Sequence, residues 1–378
     1  MTKTQRNILI VLAILACGLS TTVGFLAYQA YQVLWKAPLM GPAISMETVT
    51  PAAKSPTVEN SSSGNSGQPV TLASTPTPIG EPRCGGPPTM TLLAVGSDAR
   101  SNTYNYGLGD VIRIVRVDFV NARVSILTFP RDLWVEIPDI ADNINGQDHE
   151  KLNQSYLYGN PGFGYYEGPG AGPGLMARTL ALNFGVVPER YIGVNMRTFE
   201  NIVNAVGGID IYLPKAVDGR TEEDRAKRLV FPSGQQHLNG PQALTLARIR
   251  IDGVFDRMDN QNLVMCALKE KLTSPKVITS IPSLIASFKD NVQTDLTPEQ
   301  LTQLACIGTQ IKSENIIFAS FPEELFTQTR KYDPVFKGRI FIWDVDFNIM
   351  RDYVKRFNEG TWPDPYADDE PETITTCP

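Results

Sequence analysis

The pattern of hydrophobic and polar positions divides the chain into an apolar run, a polar connector and a long region of alternating strand and helix signals. After a short N-terminus (residues 1–7), residues 8–34 are almost free of charge and long enough for one helix across a bilayer. Residues 35–88 are rich in Pro, Ser, Thr and Gly, so we expect a flexible stalk. A folded domain is predicted over residues 89–360, followed by an acidic tail over residues 361–378.

Short apolar runs alternate with helical periodicities in the predicted domain. Strands are predicted at Thr91–Val95, Val111–Phe119, Val124–Phe129, Tyr191–Val194, Ile209–Leu213, Ile316–Ala319 and Arg339–Trp343. Helices are predicted at Gly174–Phe184, Thr198–Val206, from Asn239, from about Arg257, at Pro282–Phe288, Thr297–Ile311 and Phe347–Phe357. The Gly-, Tyr- and Asn-rich stretch Asn143–Gly174 is predicted to be a long functional loop. This alternation predicts an α/β fold: a three-layer α/β/α domain with a central mixed β-sheet, after an N-terminal transmembrane helix.

The charges around the apolar run predict the orientation of the chain. Lys3 and Arg6 precede the run and Lys36 follows it, which favours a single-pass protein of the cell membrane with its N-terminus in the cytoplasm. The C-terminal domain would then be extracytoplasmic. Two alternatives stay open at this point, a cleaved signal peptide and a lipidated Cys17.

The remaining four cysteines would lie in an oxidising compartment, where disulfides persist. Cys84 and Cys377 flank the predicted domain, and Cys266 and Cys306 each lie on a predicted helix. A bridge between the latter two would close a loop of about 40 residues and contribute roughly 4 kcal/mol. Three pairings are possible, and four free thiols are the alternative.

The charge balance limits the classes of partner. The chain has 34 Lys and Arg against 40 Asp and Glu, a formal net charge of −6. This balance argues against nucleic acid as a partner, because nucleic-acid binders usually carry a strong basic bias. Any anion-binding site must therefore be local. With only His149 and His237 in the chain, a zinc centre is also disfavoured.

Positive side chains cluster in the stretch from Asn239 to Gln261. Arg248 and Arg250 lie two residues apart, which places both on one side of an extended chain. Arg257 and Gln261 follow at helical spacing, above the apolar positions 264 and 268 on the same face. Guanidinium groups match phosphate oxygens two at a time, so an anion site is one interpretation. The other is a structural network with neighbouring aspartates.

Carboxylates and a further arginine occur where predicted strands end. Asp98 and Asp110 each lie at a turn beside a strand, and Arg131 with Asp132 follows Val124–Phe129. Phosphate chemistry needs cationic donors and usually a divalent cation held by hard oxygen ligands, which suits magnesium. An aspartate after a strand is more often only a turn residue. Lys151 and Asn153 are further candidates, with a solvated loop as the equal alternative.

Seven ordered motifs resemble one family. They read LLAVGSDAR, GDVI, SILTFPRD, KLNQSY, VGGIDI, FPSGQQHLNGPQALTLARIR and DRMDNQ, spread over residues 90–275. In this order they resemble the LytR–CpsA–Psr family of membrane-anchored phosphotransferases. The resemblance implies transfer of a glycopolymer from a polyprenyl-pyrophosphate lipid onto a hydroxyl of peptidoglycan or another envelope acceptor, with polyprenyl phosphate as the leaving group.

The resemblance also implies roles for individual positions. Asp98 and Asp110 match the carboxylates near Mg2+ (or Mn2+), and either could serve as the base for the acceptor hydroxyl. The pyrophosphate-binding positions are matched by Arg131, Arg248, Arg250, Arg257 and Gln261, and Arg131 is counted with the catalytic residues as well. A polyprenyl chain needs an apolar tunnel, for which Phe199, Ile202 and Val203 are possible liners, although their spacing favours an ordinary core.

Two positions depart from the family's usual pattern. Leu108 and Asn260 stand where the family usually has arginine. The first departure removes a phosphate donor, for which Arg113 or Arg116 could substitute. The alternative function is therefore a catalytically weak polyprenyl-pyrophosphate binder, or a regulatory or scaffold protein of the envelope.

Overall fold

The computed structural model describes residues 28, 41–44, 46, 80–100, 104–144, 146–221, 224–249, 254–274, 277, 291–363 and 374–377. The chain divides into two compact units. The first unit comprises Met1–Ala43, Ala94–Tyr104 and Arg190–Gln310, and the second comprises Ile44–Leu93, Asn105–Glu189 and Ile311–Pro378.

The described residues form fifteen strands and seven α-helices. The strands are β1 (Thr89–Ser97), β2 (Gly109–Asp118), β3 (Arg123–Phe129), β4 (Trp134–Glu136), β5 (His149–Lys151), β6 (Arg190–Asn195), β7 (Ile209–Leu213), β8 (Val217–Asp218), β9 (Val230–Phe231), β10 (Gly234–Leu238), β11 (Gln293–Thr294), β12 (Ile316–Ser320), β13 (Thr327–Asp333), β14 (Gly338–Asp344) and β15 (Ile374–Thr376). The helices are α1 (Leu152–Gly159), α2 (Ala171–Phe184), α3 (Met196–Ala205), α4 (Gly240–Leu246), α5 (Val254–Thr273), α6 (Pro298–Gln310) and α7 (Phe347–Glu359).

The second unit contains a mixed sheet with the strand order β1-β2-β3-β12-β15. Strands β2 and β3 form an antiparallel hairpin, whose turn is closed by the Asp118 carboxylate accepting the N–H groups of Val120 and Asn121. Strand β12 runs parallel to β3, and β15 runs antiparallel to β12. The predicted α/β class with a mixed central sheet is therefore confirmed.

Aromatic side chains fill the core of the second unit. The ring of Phe129, at the end of β3, lies 5.3 Å from that of Phe184 on α2 and 5.2 Å from that of Phe321 after β12. Helices α2 and α7 are joined by a hydrogen bond from Arg351 Nε to the carbonyl oxygen of Asn183, at 2.7 Å. These contacts fix the C-terminal end of β3, after which the candidate site begins.

The first unit is organised around one apolar cluster. It includes Val203 on α3, Ile211 on β7, Leu246 on α4 and Val264 on α5, all buried. Helix α4 begins with a capping box, in which the side chains of Asn239 and Gln242 each accept the other residue's backbone N–H. The part of β1 from Ala94 onwards belongs to this unit, where β1 lies next to β6 in the sheet. Strand β11 pairs antiparallel with the other edge of β6.

The proposed tunnel liners belong to this apolar core. Val203 is fully buried in the cluster, and Phe199 and Ile202 pack against it from the same helix. Helical spacing alone had favoured this assignment, because i, i+3 and i+4 positions form one face.

The prediction of a loop over Asn143–Gly174 was wrong in part. The stretch contains β5 and α1, and all but Leu157 of the residues of α1 are buried. A helix buried on nearly every side has no amphipathic period, so its sequence gives no helical pattern. Strand β13 was missed for the opposite reason, because six of its seven residues are exposed and polar side chains dominate it.

Several predictions concern residues outside the described part of the chain. They are the transmembrane helix at residues 8–34 except residue 28, with Cys17, the stalk up to residue 79 except residues 41–44 and 46, the helix at Pro282–Phe288, and the acidic tail from 364 to 373. Among the described residues, no helix has the length and apolar character needed to cross a bilayer.

All four domain cysteines are disulfide-bonded, so the interpretation as free thiols was wrong. Cys266 and Cys306 lie in the first unit, on the contacting helices α5 and α6, and Cys84 and Cys377 lie in the second. This distribution matches the pairing of Cys84 with Cys377 and of Cys266 with Cys306.

Candidate functional site

Strand register brings the first two polar residues of the site together. In the β2–β3 hairpin Ile112 is opposite Phe129, so the same register, continued by two residues, places Asp110 opposite Arg131. Arg131 Nη1 lies 2.5 Å from Asp110 Oδ1. An ion pair thus forms where β2 begins and β3 has ended, both within the second unit.

Asp132 extends this pair into a network. Its Oδ2 accepts a hydrogen bond from Arg131 Nε at 3.2 Å, and its Oδ1 accepts one from Lys151 Nζ at 2.7 Å. Lys151 is placed by the β4–β5 hairpin, in which it is opposite Trp134. Both carboxylate oxygens of Asp132 are therefore engaged by cations.

The first turn of α1 completes the site. The backbone N–H of Asn153 donates to the carbonyl oxygen of Arg131 at 3.1 Å, which ties the helix to the strand end. The Asn153 side-chain Nδ2 lies 3.4 Å from Asp110 Oδ1. The buried Oδ1 of Asn153 accepts no hydrogen bond from any residue that the structure describes. A buried acceptor in this state favours a bound donor at the site.

We name this set the strand-end network: Asp110, Arg131, Asp132, Lys151 and Asn153. Its charged side chains are only 10–23% exposed, so they are accessible from one side and shielded on the others. Burial lowers the pKa of Arg131, but the carboxylates of Asp110 and Asp132 outweigh burial and the pKa is raised. Arg131 therefore keeps its positive charge at every physiological pH.

The network has the properties of an oxyanion-binding site. Arg131 and Lys151 are both fixed by carboxylates before any ligand arrives, so a phosphate oxygen would meet donors that are already oriented. Charge-assisted hydrogen bonds of this kind are about twice as strong as neutral ones. The solvated-loop interpretation of Lys151 and Asn153 was thus wrong, because Asn153 is 4% exposed and Lys151 is bound to Asp132.

In the first unit, the helix that carries Arg257 and Gln261 contacts the chain just before Arg248. Gln261 Nε2 donates to the carbonyl oxygen of Ala247, the residue before Arg248. Arg248 is exposed in the turn after α4, and Arg257 is buried on α5, on the face that also buries Val264. The predicted common face of Arg257, Gln261 and Val264 is confirmed. Arg250 lies outside the described residues.

Asp98 follows the last residue of β1 and is half-buried in the first unit. Among the described residues, no group of three or more Asp, Glu, His or Cys side chains forms a metal cluster. Magnesium in phosphoryl transfer usually keeps several waters and takes one or two carboxylates plus substrate oxygens. Asp110 fits that donor chemistry as a partly exposed carboxylate, whereas both oxygens of Asp132 are bound to cations.

Neither of the proposed substitutes for the arginine missing at Leu108 lies at the network. Arg113 is buried on the opposite face of β2 from Asp110, with its guanidinium 5.7 Å above the ring of Phe318. Arg116 is six residues, roughly 20 Å, along the strand from Asp110, and its guanidinium lies beside Gly360. Asn260, at the second departure, is buried on α5.

The second unit thus combines a mixed sheet with an arginine–carboxylate–lysine network at a strand end, an arrangement suited to a protein that binds an oxyanion. The model of the LytR_cpsA_psr family matches residues 68–340, and the chain belongs to that family.

Two curated relatives are similar to part of the chain. The chain is 29% identical over 211 residues to a polyisoprenyl-teichoic acid–peptidoglycan teichoic acid transferase, TagV of Bacillus subtilis (strain 168), covering 55% of this chain and 50% of TagV. It is 27% identical over 218 residues to the regulatory protein MsrR of Staphylococcus aureus, covering 57% of this chain and 58% of MsrR. The chain thus spans between half and three fifths of the length of these two relatives.

The crystal structure of B. subtilis TagV has a similar fold. It superposes with a TM-score of 0.52 at 23% sequence identity, covering 71% of this chain and 96% of the TagV chain. At this level of identity the likeness concerns the fold.

Proposed function

We propose that the chain is a membrane-anchored phosphotransferase that moves a glycopolymer from a polyprenyl-pyrophosphate carrier onto peptidoglycan or another cell-surface acceptor. Family membership and the name of its relative TagV support the reaction class. The apolar run at residues 8–34 supports the single-pass membrane anchor, with the domain extracytoplasmic.

The observation that carries the proposal is the strand-end network. A phosphoryl transfer needs preorganised cations at the phosphate oxygens, because negative charge must be stabilised in the transition state. Arg131 and Lys151 provide two such cations, each held at a fixed position by Asp132. We further propose that Arg248, Arg250, Arg257 and Gln261 bind the pyrophosphate.

The proposed reaction is one displacement at phosphorus. The acceptor hydroxyl oxygen forms a bond to the phosphorus that carries the polymer, and the bond from that phosphorus to the bridging oxygen breaks. Polyprenyl phosphate leaves with the bond electrons, and the hydroxyl proton passes to a base. Asp98 and Asp110 are the proposed bases, and Arg131 would stabilise the charge that develops on the phosphoryl oxygens.

Asp98 and Asp110 would also hold the divalent cation, Mg2+ or Mn2+. When bound, such an ion neutralises charge on the pyrophosphate oxygens. Asn153 would hold Asp110 in place whether or not the ion is bound. The side chain of Asn153 donates a hydrogen bond to Asp110, and the backbone N–H of Asn153 donates one to the carbonyl oxygen of Arg131.

A transfer assay tests the proposal. The full chain in detergent, with magnesium, a labelled polymer on polyprenyl pyrophosphate and peptidoglycan, should release one polyprenyl phosphate for each polymer attached. Arg131→Ala should lower the rate about 10²- to 10³-fold, as removal of a preorganised donor does elsewhere. Arg220→Ala, which removes an exposed arginine paired with Asp218, should leave the rate unchanged.

A second candidate is a catalytically weak lipid binder or regulator. It is favoured by the absence of arginine at Leu108 and Asn260, and by the regulatory name of the relative MsrR. A chain of this kind would be stabilised thermally by the lipid but would release no polyprenyl phosphate. That result would replace the transferase proposal.

A further inference from the structure

A hairpin of the second unit carries an unusual set of exposed side chains. It consists of β13, β14 and the turn between them, and we name it the basic hairpin. Its cationic residues are Arg330, Lys331, Lys337 and Arg339, all exposed. Tyr332 and Phe336 are 58% and 60% exposed. This concentration of positive charge and aromatic surface occurs in a chain whose net charge is −6.

The register places Arg330, Tyr332 and Arg339 on one face of the hairpin and Lys331 on the other. Tyr332 is directly opposite Arg339, and Arg330 lies two residues from Tyr332 on the same strand, hence on the same face. Phe336 and Lys337 occupy the turn that joins the strands. The outer face and the tip of the hairpin therefore present three cations and two aromatic rings together.

The base of the hairpin is firmly attached. The backbone N–H of Trp343 donates to the carbonyl oxygen of Asp132 at 3.1 Å, and Lys331 Nζ lies 5.1 Å above the ring of Trp134. Ile342 and Trp343, near the base, are buried, and so is Asp333, at the end of β13 beside the turn. The attached strands thus hold the tip in a fixed place on the second unit, and the tip is exposed to solvent in the folded protein.

The outer cations of the hairpin form no ion pair with the residues that the structure describes. Within the described part of the chain, no ion pair involves Arg330, Lys337 or Arg339. Within residues 323–344, all of which the structure describes, the exposed carboxylates are Asp344 at the base of the hairpin and Glu323 and Glu324 in the turn before it. The electrostatic surface of the tip is therefore complementary to an anionic partner.

We propose that the basic hairpin docks on the surface of an anionic lipid bilayer, with Phe336 and Tyr332 in the headgroup region and Arg330, Lys337 and Arg339 against lipid phosphates. Basic residues next to a bilayer are attracted to anionic lipid, and aromatic rings concentrate at the interface. A soluble anionic polymer would satisfy the charges but offers no apolar phase for the two rings. The proposal goes beyond polymer transfer, because it concerns the orientation of the second unit on the membrane.

Tryptophan fluorescence tests the docking. The full chain with Phe336→Trp is dialysed from detergent into vesicles of phosphatidylcholine, alone or mixed with phosphatidylglycerol, in which some acyl chains are brominated. With anionic lipid, the emission of the introduced tryptophan, corrected for the unsubstituted chain, should shift to shorter wavelength and be quenched by bromine. Neither change is expected with phosphatidylcholine alone.

Two variants serve as controls. Tyr212→Trp, at a 62% exposed position on β7 of the first unit, should show no lipid-dependent quenching. Adding Arg330→Ser, Lys337→Ser and Arg339→Ser to Phe336→Trp should abolish the quenching, since three charges at about fivefold each weaken the attachment roughly 100-fold. The thermal melting curve of this variant must match that of Phe336→Trp.

Three outcomes would overturn the proposal. They are equal emission in both lipids, equal quenching of Tyr212→Trp, and quenching that survives removal of the three cations. A spectral shift of Phe336→Trp with soluble poly(glycerol phosphate) in the absence of vesicles would assign the hairpin to a polymer instead.

Discussion

Two carboxylates of the second unit, Asp132 and Glu150, lie in opposite electrostatic surroundings. Asp132 is bound by the cations of Arg131 and Lys151. Glu150, the neighbour of Lys151 on β5, is fully buried and faces the fully buried Asp333 of the basic hairpin. Burial, and after it the charge and hydrogen bond of Asp333, raise the pKa of Glu150 to about 8.

The difference follows from the geometry of a single strand. Successive side chains of a strand point to opposite faces, so Lys151 reaches the strand-end network while Glu150 points away from it. Glu150 accepts hydrogen bonds from Gln147 Nε2 and the backbone N–H of Lys151. The same burial and acidic neighbours raise the pKa of Tyr158. The raised pKa alone would assign Glu150 to the functional site, whereas the positions of Arg131 and Lys151 assign Asp132 to it.

This comparison predicts opposite responses to removal of charge. Replacing Glu150 with a neutral isostere should stabilise the fold at alkaline pH, because it removes a carboxylate that is costly to ionise. Replacing Asp132 should destabilise the fold, because it leaves Lys151 without its carboxylate partner and Arg131 with Asp110 alone.

The largest predicted effect is the pH dependence of stability. The folded-state pKa of Glu150 is raised above its ordinary value of 4.5. The contribution of Glu150 to the free energy of unfolding is therefore fully present below about pH 4.5 and is lost as the pH rises to about 8. A shift of this size corresponds to a fall in the free energy of unfolding on the order of 4–5 kcal/mol across that range. Glu150→Gln should flatten this fall, as measured by urea unfolding at a series of pH values.

Glu136→Gln is the matched control, because Glu136 is an exposed carboxylate on the neighbouring strand β4. It should retain the pH dependence of the unsubstituted chain. If Glu150→Gln shows the same decline between pH 5 and pH 8 as the control, the buried acid pair is not the cause.

The next effect concerns Asp132. Asp132→Ala should lower the free energy of unfolding by about 3 kcal/mol at neutral pH, as breaking a largely buried ion pair does. Asp218→Ala, in an exposed pair with Arg220, should leave the unfolding midpoint unchanged. Urea unfolding measures both, and equal midpoints for the two variants would show that the network contributes no stability.

The smallest effect concerns the attachment of the hairpin that carries Asp333. Lys331→Ala removes the cation above the ring of Trp134 and should cost about 0.5–1 kcal/mol. Lys337→Ala, at the tip of the same hairpin, has no such ring contact among the described residues and should cost less. Thermal unfolding of the two variants measures both losses of stability. A larger loss of stability for Lys337→Ala than for Lys331→Ala would contradict a stabilising contact between Lys331 and Trp134.

Much of the fold could be predicted where one pattern dominates. The strands Val111–Phe119 and Val124–Phe129 were predicted from apolar runs, and hairpin register then fixes Asp110 opposite Arg131. The buried face of Arg257 and Val264 followed from helical spacing. Local periodicity was sufficient in each case.

The rest depends on contacts between residues distant in sequence. Lys151 meets Asp132 across 19 positions of sequence, and Glu150 meets Asp333 across 183 positions. No spacing rule connects such residues. The sequence therefore left a site residue and a solvated loop residue as equal alternatives for Lys151. Strand β14 of the basic hairpin was predicted at Arg339–Trp343, whereas its partner β13 was missed because β13 lacks an apolar face.

The most direct test of the central claim is the affinity of the strand-end network for pyrophosphate. Isothermal titration of the full chain in detergent with polyprenyl pyrophosphate and magnesium should give a Kd about 30- to 100-fold weaker for Arg131→Ala than for the unsubstituted chain, the loss of one or two charge-assisted hydrogen bonds. Arg220→Ala should bind as the unsubstituted chain does. Equal affinity for all three proteins would contradict the assignment of Arg131 and its network as the site.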